Sequence, residues 1–302
     1  MKILNSTPKL LILCGLPASG KSTYANAWGA EDPENRRRIN YDDLRIELYG
    51  DGWKFNRPEE NAMKKVALDR AKKALSSGLS VVIDNTNLSS NVREVWINLA
   101  KSLGVESEVF EIDTPLEVCV QRDRLRQGTK RVGRAVIERM ALFHGMIDWS
   151  SPKYGERAKD FVIVDVDGTI ADCEWRRKEA SKGGKLDWPK FFSLVSNDKP
   201  IERIVRLVRL ISAHYRILVV SGRPIDSCGI ATEDWLEKHG QFFYDHLFMR
   251  SHPSTPDYEV KQEILDLLPK ERIAFVLDDR DQVVKMWRAN GITCLQVADG
   301  DF

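Results

Sequence analysis

The sequence predicts two α/β domains in tandem, each built on a parallel sheet. Three observations carry this. Short apolar runs that end in polar residues alternate with amphipathic helical stretches along most of the chain, the pattern of parallel strands joined by crossover helices. The alternation breaks once, in a Ser/Pro/Gly/charge stretch from Trp149 to Lys159, and then restarts. The 302 residues also suit two domains of ordinary size. The expected domains are 1–152 and 160–302, with the break as linker.

In order, residues 9–15 (KLLILCG) read as a buried strand closed by glycine. A helical pattern over Thr23–Trp28 follows, and a second strand is expected just before Asn40. Glu59–Leu75 sets Ala62, Val66 and Ala74 among Lys and Arg, as in a surface helix. A strand at 80–84 (SVVID), a helix over Val92–Leu103 and a strand at 107–113 (SEVFEID) complete the first half. The second half has strands at 161–169 (FVIVDVDGT), 216–222 (RILVVSG), 273–279 (IAFVLDD) and 292–297 (ITCLQV). Ligands of open α/β sheets bind beyond the carboxyl ends of the strands, so the polar strand ends are where chemistry is expected.

With 42% hydrophobic and 30% charged residues the chain is of globular type, neither disordered nor fibrous. Its longest apolar run, Leu10–Leu16, is far short of the ~20 residues that span a bilayer. The N-terminus has no cleavable-signal pattern, which makes export unexpected. Five cysteines without a CxxC pair suggest reduced, buried thiols in a cytoplasmic protein. The net charge of +1 excludes a global basic field. The excess is local: residues 122–139 hold seven basic side chains and two acidic ones.

Gly15-Leu-Pro-Ala-Ser19-Gly20-Lys21-Ser22 fits G-x-x-x-x-G-K-[ST] between a predicted strand and a predicted helix, the context of a P-loop. Such a loop wraps backbone N–H groups around phosphate oxygens at a helix N-terminus. Gly15, Ser19, Gly20, Lys21, Ser22 and Thr23 are the expected ATP contacts, with Lys21 on the β/γ-phosphates and Ser22 on Mg²⁺. Asp42, just past the second strand, is placed to accept a proton from an attacking hydroxyl, and an ordinary helix N-cap fits it equally well. Arg45, three residues on, shares its face and suits a substrate phosphate. Asp84-Asn85-Thr86-Asn87 is a polar cluster at another strand end, with Thr86 and Asn87 as candidate substrate contacts. Arg122 and Arg126, four apart, suit a lid over triphosphate oxygens.

In the second half, Asp165-Val-Asp167-Gly168-Thr169 closes the first strand, Ser221-Gly-Arg223 the next, Lys261 opens a helix, and Asp278-Asp279 closes another strand. This set, in this order, resembles the haloacid-dehalogenase-type phosphatases. The resemblance implies that Asp165 attacks phosphorus, Asp167 acts as acid and then base, Ser221 bonds the phosphate and Lys261 neutralises charge. It also implies Mg²⁺ on Asp165, Asp167 and Asp278. The segment between Thr169 and Arg216, with Trp175, Arg176, Arg177, Gly183-Gly184 and Trp188, corresponds to a small cap. Its basic and aromatic residues suit either a nucleotide 3′ end or plain packing.

A P-loop domain followed by this phosphatase set resembles, over essentially the whole chain, the bacteriophage-type polynucleotide kinase–phosphatases. That resemblance implies a P-loop kinase followed by a haloacid-dehalogenase-like phosphatase. Asp42 becomes the kinase base, with Lys21 and Arg126 catalytic. Arg45, Arg176 and Arg223 become substrate contacts, and Asp257 and Asp279 supporting acids. The implied activities are ATP-dependent phosphorylation of 5′-OH ends of DNA or RNA and removal of 3′-phosphates, with 2′,3′-cyclic phosphates as further candidates. A homo-oligomer, with a tetramer as the form to expect, is also implied. Two rival readings stand at this point: a bifunctional kinase/phosphatase of small metabolites, and a non-catalytic nucleotide-gated module.

Overall fold

A computed structural model describes residues 7–155, 160–182, 184–251 and 254–300, and the chain falls into two compact units, Met1–Arg131 and Val132–Phe302. In the first unit the strands are β1 (Lys9–Cys14), β2 (Arg36–Ile39), β3 (Ser80–Ile83) and β4 (Glu106–Glu111). They form one sheet in the order β2-β3-β1-β4, every pair parallel. Leu10–Leu13 and Val81–Ile83 are buried throughout, as expected of central strands covered on both faces.

The helices of this unit are α1 (Lys21–Glu31), α2 (Tyr41–Tyr49), α3 (Arg57–Ser76), α4 (Ser90–Leu103) and α5 (Leu116–Arg124). Asn40 caps α2 by accepting from the Asp43 N–H at 3.0 Å. Capping is thus Asn40's role, and Asp42 is left in the first turn with its side chain 80% exposed. Helix α3 starts from an Asn56 cap with Pro58 in its first turn, where a missing N–H does no harm.

The second unit opens with α6 (Arg134–Phe143) and then places β5 (Phe161–Val164) at the centre of its sheet. Between β5 and the next main strand lies the cap. It consists of β6 (Ala171–Asp172), α7 (Glu174–Ala180), β7 (Ser181–Lys182), β8 (Lys185–Leu186), α8 (Trp188–Ser193) and β9 (Lys199–Pro200). Next come α9 (Glu202–Ile211), β10 (Arg216–Pro224), α10 (Ile225–Trp235) and β11 (His246–Arg250). The chain continues through α11 (Asp257–Leu265), β12 (Ile273–Arg280), α12 (Asp281–Ala289) and β13 (Cys294–Gly300). The five-stranded sheet runs β11-β10-β5-β12-β13, again all parallel. Its edge strand β11 is the one main strand the sequence pattern did not single out.

The division between the units differs from the expected boundary near residue 152. Helix α6 packs in the second core, where Ala135 sits with residues of β5 and β10. Its buried Glu138 accepts the Leu247 N–H at 2.6 Å and faces the His246 imidazole at 3.1 Å. The other nitrogen of His246 meets the Tyr154 hydroxyl at 2.7 Å. Trp149 lies 5.6 Å from the Phe161 ring, edge to face, and Arg272 bonds the Trp149 and Tyr154 carbonyls. The first part of the expected linker is therefore packed structure, because its aromatic rings have a core to join. Residues 156–159 lie outside the described residues. All five cysteines are free and buried. Among the described residues no helix is long and apolar enough to cross a membrane.

Candidate active sites

In the first unit the glycine-rich loop joins β1 to α1 as expected. Helix α1 begins with no side-chain cap and no acid in its first turn, which leaves its leading N–H groups to an anion. Lys21 is buried, and its ammonium donates to the Gly15 and Leu16 carbonyls at 2.9 and 2.6 Å and to Ser19 Oγ at 3.4 Å. Burial draws its pKa down to about 8, against the pull of Asp84. Beside it opens a cleft of about 720 Å³ lined by Gly20, Lys21, Ser22, Thr23, Arg122 and Arg126. Arg122 donates to the Ser19 carbonyl at 3.3 Å, and Arg126 stands 3.6 Å from the buried Asp123. Both arginines therefore reach the loop's cleft from α5 and the turn that follows it.

The candidate base lies at the end of β2. Asp42 pairs with Arg45 at 2.5 Å, and Arg45 is gripped from behind by a bidentate pair to Glu60 at 2.9 and 2.8 Å. Glu60 is buried, so the fork–fork pair fixes the guanidinium and leaves one nitrogen for Asp42. Glu60 carried no signal in the sequence, because a glutamate within α3 looks like any solvated position. Asp84, at the end of β3, is nearly fully buried and accepts from Arg38 at 2.8 and 2.6 Å and from Asn40.

Thr86 and Asn87, the expected substrate contacts, are placed differently from each other. The Thr86 carbonyl accepts the Gly15 N–H at 3.0 Å and so anchors the loop by its backbone. Asn87 is buried with positive φ, and its amide donates to the Leu13 carbonyl at 2.7 Å. Its amide nitrogen is thereby occupied in tying β1 to the end of β3, its Oδ1 is buried without a partner among the described residues, and its backbone carbonyl accepts from Arg93 at 2.8 Å.

In the second unit Asp165 sits at the end of β5, its N–H bonded to the Leu277 carbonyl of β12 at 3.0 Å. Lys261 of α11 is fully buried among three carboxylates: Asp278 at 2.8 Å, Asp165 at 2.9 Å and Asp257 at 3.6 Å. Burial alone would discharge it, and the three acids outweigh that and hold its pKa well above the usual lysine range. Burial also pushes the Asp165 carboxyl well above the carboxylate range, with Lys261 opposing and Asp278, Asp257 and Asp279 adding to the rise. Asp165, Asp278 and Asp279 each bring an oxygen within 4.8 Å of the others. This hard-oxygen set, with more negative charge than one lysine balances, fits a divalent cation such as Mg²⁺. Trp287 donates to Asp278 at 3.2 Å and holds that carboxylate in place.

Two glycines allow the acids their positions. A Cβ on Gly168 (φ +77°) would fall 2.0 Å from Asp279 Oδ2, and one on Gly222 would fall 2.1 Å from Asp257 Oδ1. Ser221 is buried between these loops, and its Oγ accepts the Arg223 N–H at 3.2 Å.

Asp167, expected on the metal, is not among the three acids whose oxygens converge, and Asp279 is. One of its oxygens accepts from Arg176 at 2.6 Å and from Arg223 at 2.9 and 2.6 Å. Burial would raise its pKa, but the two guanidiniums win and hold it below the usual range. The same arginines bracket Asp198, at 2.7 Å each, and Asp198 also accepts the Trp175 indole N–H at 3.1 Å. Burial pushes Asp198 up to about 6 despite both arginines. Asp198 had no signal in the sequence, since it is an isolated acid in the diverged cap. Within the cap, Trp175 and Arg176 thus reach Asp198, and Arg176 also Asp167, whereas Arg177 and Trp188 line a second cleft of about 770 Å³ with Phe192, Arg280, Asp165 and Asp167. Trp188 and Phe192 are stacked at 5.7 Å and 22°. Gly183 lies outside the described residues.

Comparisons with known proteins divide the chain between residues 144 and 159, close to the boundary expected from the sequence and beyond that of the two compact units. Residues 159–302 match the family model of the polynucleotide kinase PNKP phosphatase domain, and residues 10–144 match that of the AAA domain. The second match runs through α6, whose own contacts place it in the other unit. A provisionally named bifunctional polynucleotide kinase/RNA ligase of Autographa californica nuclear polyhedrosis virus is 27% identical over 94% of this chain and 42% of its own length. The L-seryl-tRNA(Sec) kinase of Methanococcus maripaludis is 29% identical over 53% of this chain and 59% of its own. The chain thus spans about two fifths and three fifths of these relatives. Among solved structures, a chain of the Pnkp1/Rnl/Hen1 RNA repair complex is 26% identical, with coverage of 100% of this chain and 99% of that one and a TM-score of 0.40.

Proposed function

We propose, for a chain whose two parts match the family models of the AAA domain and of the polynucleotide kinase PNKP phosphatase domain, a two-sided repair of nucleic-acid ends. The first unit transfers the γ-phosphate of ATP to a 5′-hydroxyl, and the second hydrolyses a 3′-phosphate. The observation that carries it is that each unit gathers, beside a cleft of its own, the residue types that its step needs. A loop lysine, an Asp42–Arg45 pair and two cleft-lining arginines stand in one, and a buried lysine among Asp165, Asp257 and Asp278 stands in the other, which supports these roles.

In the kinase unit Asp42 takes the proton of the 5′-hydroxyl as its oxygen attacks the γ-phosphorus, and the bond to ADP breaks. Arg45, fixed by Glu60, holds the neighbouring substrate phosphate. Lys21, Arg122 and Arg126 neutralise charge on the phosphates, and Ser22 would ligate the Mg²⁺ that accompanies ATP.

In the phosphatase unit an Asp165 oxygen bonds to phosphorus as the bond to the 3′-oxygen breaks, and that oxygen takes a proton from Asp167. Water then attacks the aspartyl-phosphate, gives its proton to Asp167 and releases phosphate. The ionised state in which Arg176 and Arg223 hold Asp167 suits this second half. A phosphate that enters beside the arginines competes for the same donors and frees Asp167 to take up the proton that the first half needs. Asp165, Asp278 and Asp279 would hold Mg²⁺, which supplies charge neutralisation at the phosphoryl group. Five buried thiols support a reducing, cytoplasmic setting. Association into an oligomer belongs to the same proposal.

The test is incubation of an oligonucleotide bearing 5′-OH and 3′-phosphate with ATP and Mg²⁺, with both ends read. Phosphorylation of the 5′ end and loss of the 3′-phosphate are expected. Turnover confined to nucleosides, sugars or other small alcohols, with no gain from a longer strand, would assign the chain to small-molecule metabolism instead.

A further inference from the structure

A ladder of aromatic rings leads outward from the acceptor arginine. The Arg45 guanidinium, paired with Asp42 on one side, lies 5.7 Å from the Trp53 ring centroid and 6.0 Å from that of Tyr41. Trp53 stacks on Tyr49 at 5.7 Å and 23°, and its indole N–H donates to the Glu59 carboxylate at 2.5 Å. The Tyr49 hydroxyl in turn donates to the Glu59 carbonyl at 2.7 Å. Phe55 is the last rung, edge-on to Trp53 at 6.2 Å and 68°. It is 74% exposed, between the exposed Lys54 and Arg57.

A loop that only joined α2 to α3 would gain nothing from a phenyl ring left in water. A lone exposed apolar residue is ordinary, but this one is braced by an indole that is itself fixed by a ring, a carboxylate and a guanidinium. We propose that Phe55, braced on Trp53, is the stacking seat for the base of the nucleotide whose 5′-hydroxyl meets Asp42, with Lys54 and Arg57 following the phosphates behind it. The inference rests on the kinase reading of this unit. Arg45 links Asp42, through its ion pair, to Trp53, the ring on which Phe55 rests. Every base offers a π-face, so such a seat accepts any base and reads no sequence. It needs an unpaired base, which makes single-stranded or frayed 5′ ends the substrate class, since a flush duplex must first unstack.

The experiment compares the full-length chain with Phe55→Ala and Phe55→Tyr. Substrates are 5′-OH oligonucleotides whose first nucleotide is normal, abasic or 2-aminopurine. Loss of one stacked base is expected to raise KM for the normal end about tenfold in Phe55→Ala and leave KM for ATP in place, while Phe55→Tyr keeps the wild-type value. On the abasic end wild type and Phe55→Ala should converge. Without ATP, the fluorescence of 2-aminopurine should be quenched by wild type and not by Phe55→Ala. An equal loss on normal and abasic ends would make Phe55 a structural prop, and an unchanged KM would make it idle; either result overturns the seat. A wild-type protein that phosphorylates no oligonucleotide would remove the kinase reading and the seat together. An active wild type with an indifferent Phe55→Ala removes the seat alone.

Discussion

Lys21 rests on carbonyls of its own loop, and burial without a carboxylate in contact draws its pKa to about 8. A bound triphosphate would favour the charged form and return the pKa toward the ordinary value near 10.4. The sign follows: at pH 8 the free protein holds about half a proton on Lys21 and the complex nearly a whole one, so ATP binding should take up about half a proton. Calorimetry at pH 8 in two buffers of different ionisation enthalpy measures this directly. Uptake should shrink toward zero at pH 7 and affinity should fall as the pH rises past 8; uptake that is the same at pH 7 and pH 8 would place the proton on another group. At this scale the sequence was legible wherever chemistry is written locally. Gly15–Ser22 and Asp165–Thr169 each present their groups from one turn at one strand end, so spacing alone reveals them. Glu60 and Asp198 were not legible. Each matters only through arginines brought to it by the fold, Arg45 from 15 residues away and Arg176 and Arg223 from 22 and 25.

Among the elements, α6 departs furthest from what the sequence indicates. Strands such as β1, β5 and β12 were legible because apolar runs closed by polar residues have few alternatives. Helix α6 follows the cleft-lining Arg122 and Arg126 closely and carries the same basic character, so composition assigns it to the first domain. Its Ala135, Glu138 and Arg134 decide otherwise: a methyl in the second core, a carboxylate on the Leu247 N–H and on His246, and a guanidinium on the Asp245 carbonyl. A fragment that starts at Tyr154 strips this helix from β11 and leaves the Leu247 N–H and His246 without their buried partner. Calorimetry should show a fragment from Gly128 melting at least about 5 °C above one from Tyr154, with 3′-phosphatase activity following the same order. Equal melting temperatures would mean that α6 adds nothing to the second unit.

For the whole molecule, two sheets with separate cores and separate clefts imply activities that can be removed one at a time. Asp165→Asn replaces a carboxylate by a near-isosteric amide, so attack on phosphorus stops and the fold persists. That variant should phosphorylate 5′ ends at the wild-type rate and leave 3′-phosphates untouched, and Asp42→Asn should do the reverse. End-labelled oligonucleotides resolved on a denaturing gel report both outcomes in one lane. Loss of both activities in either variant, with circular dichroism unchanged, would contradict two independent sites. The position of α6 also has a meaning for modular exchange. Anyone who grafts the second half onto another protein should begin it in the few residues between Arg126 and Arg134, even though the P-loop family match runs on to residue 144. A crossover at the proline- and glycine-bearing stretch beyond Trp149, where composition alone would invite the cut, carries a helix of one module away on the other. The resulting chimaera would inherit a phosphatase with an open flank.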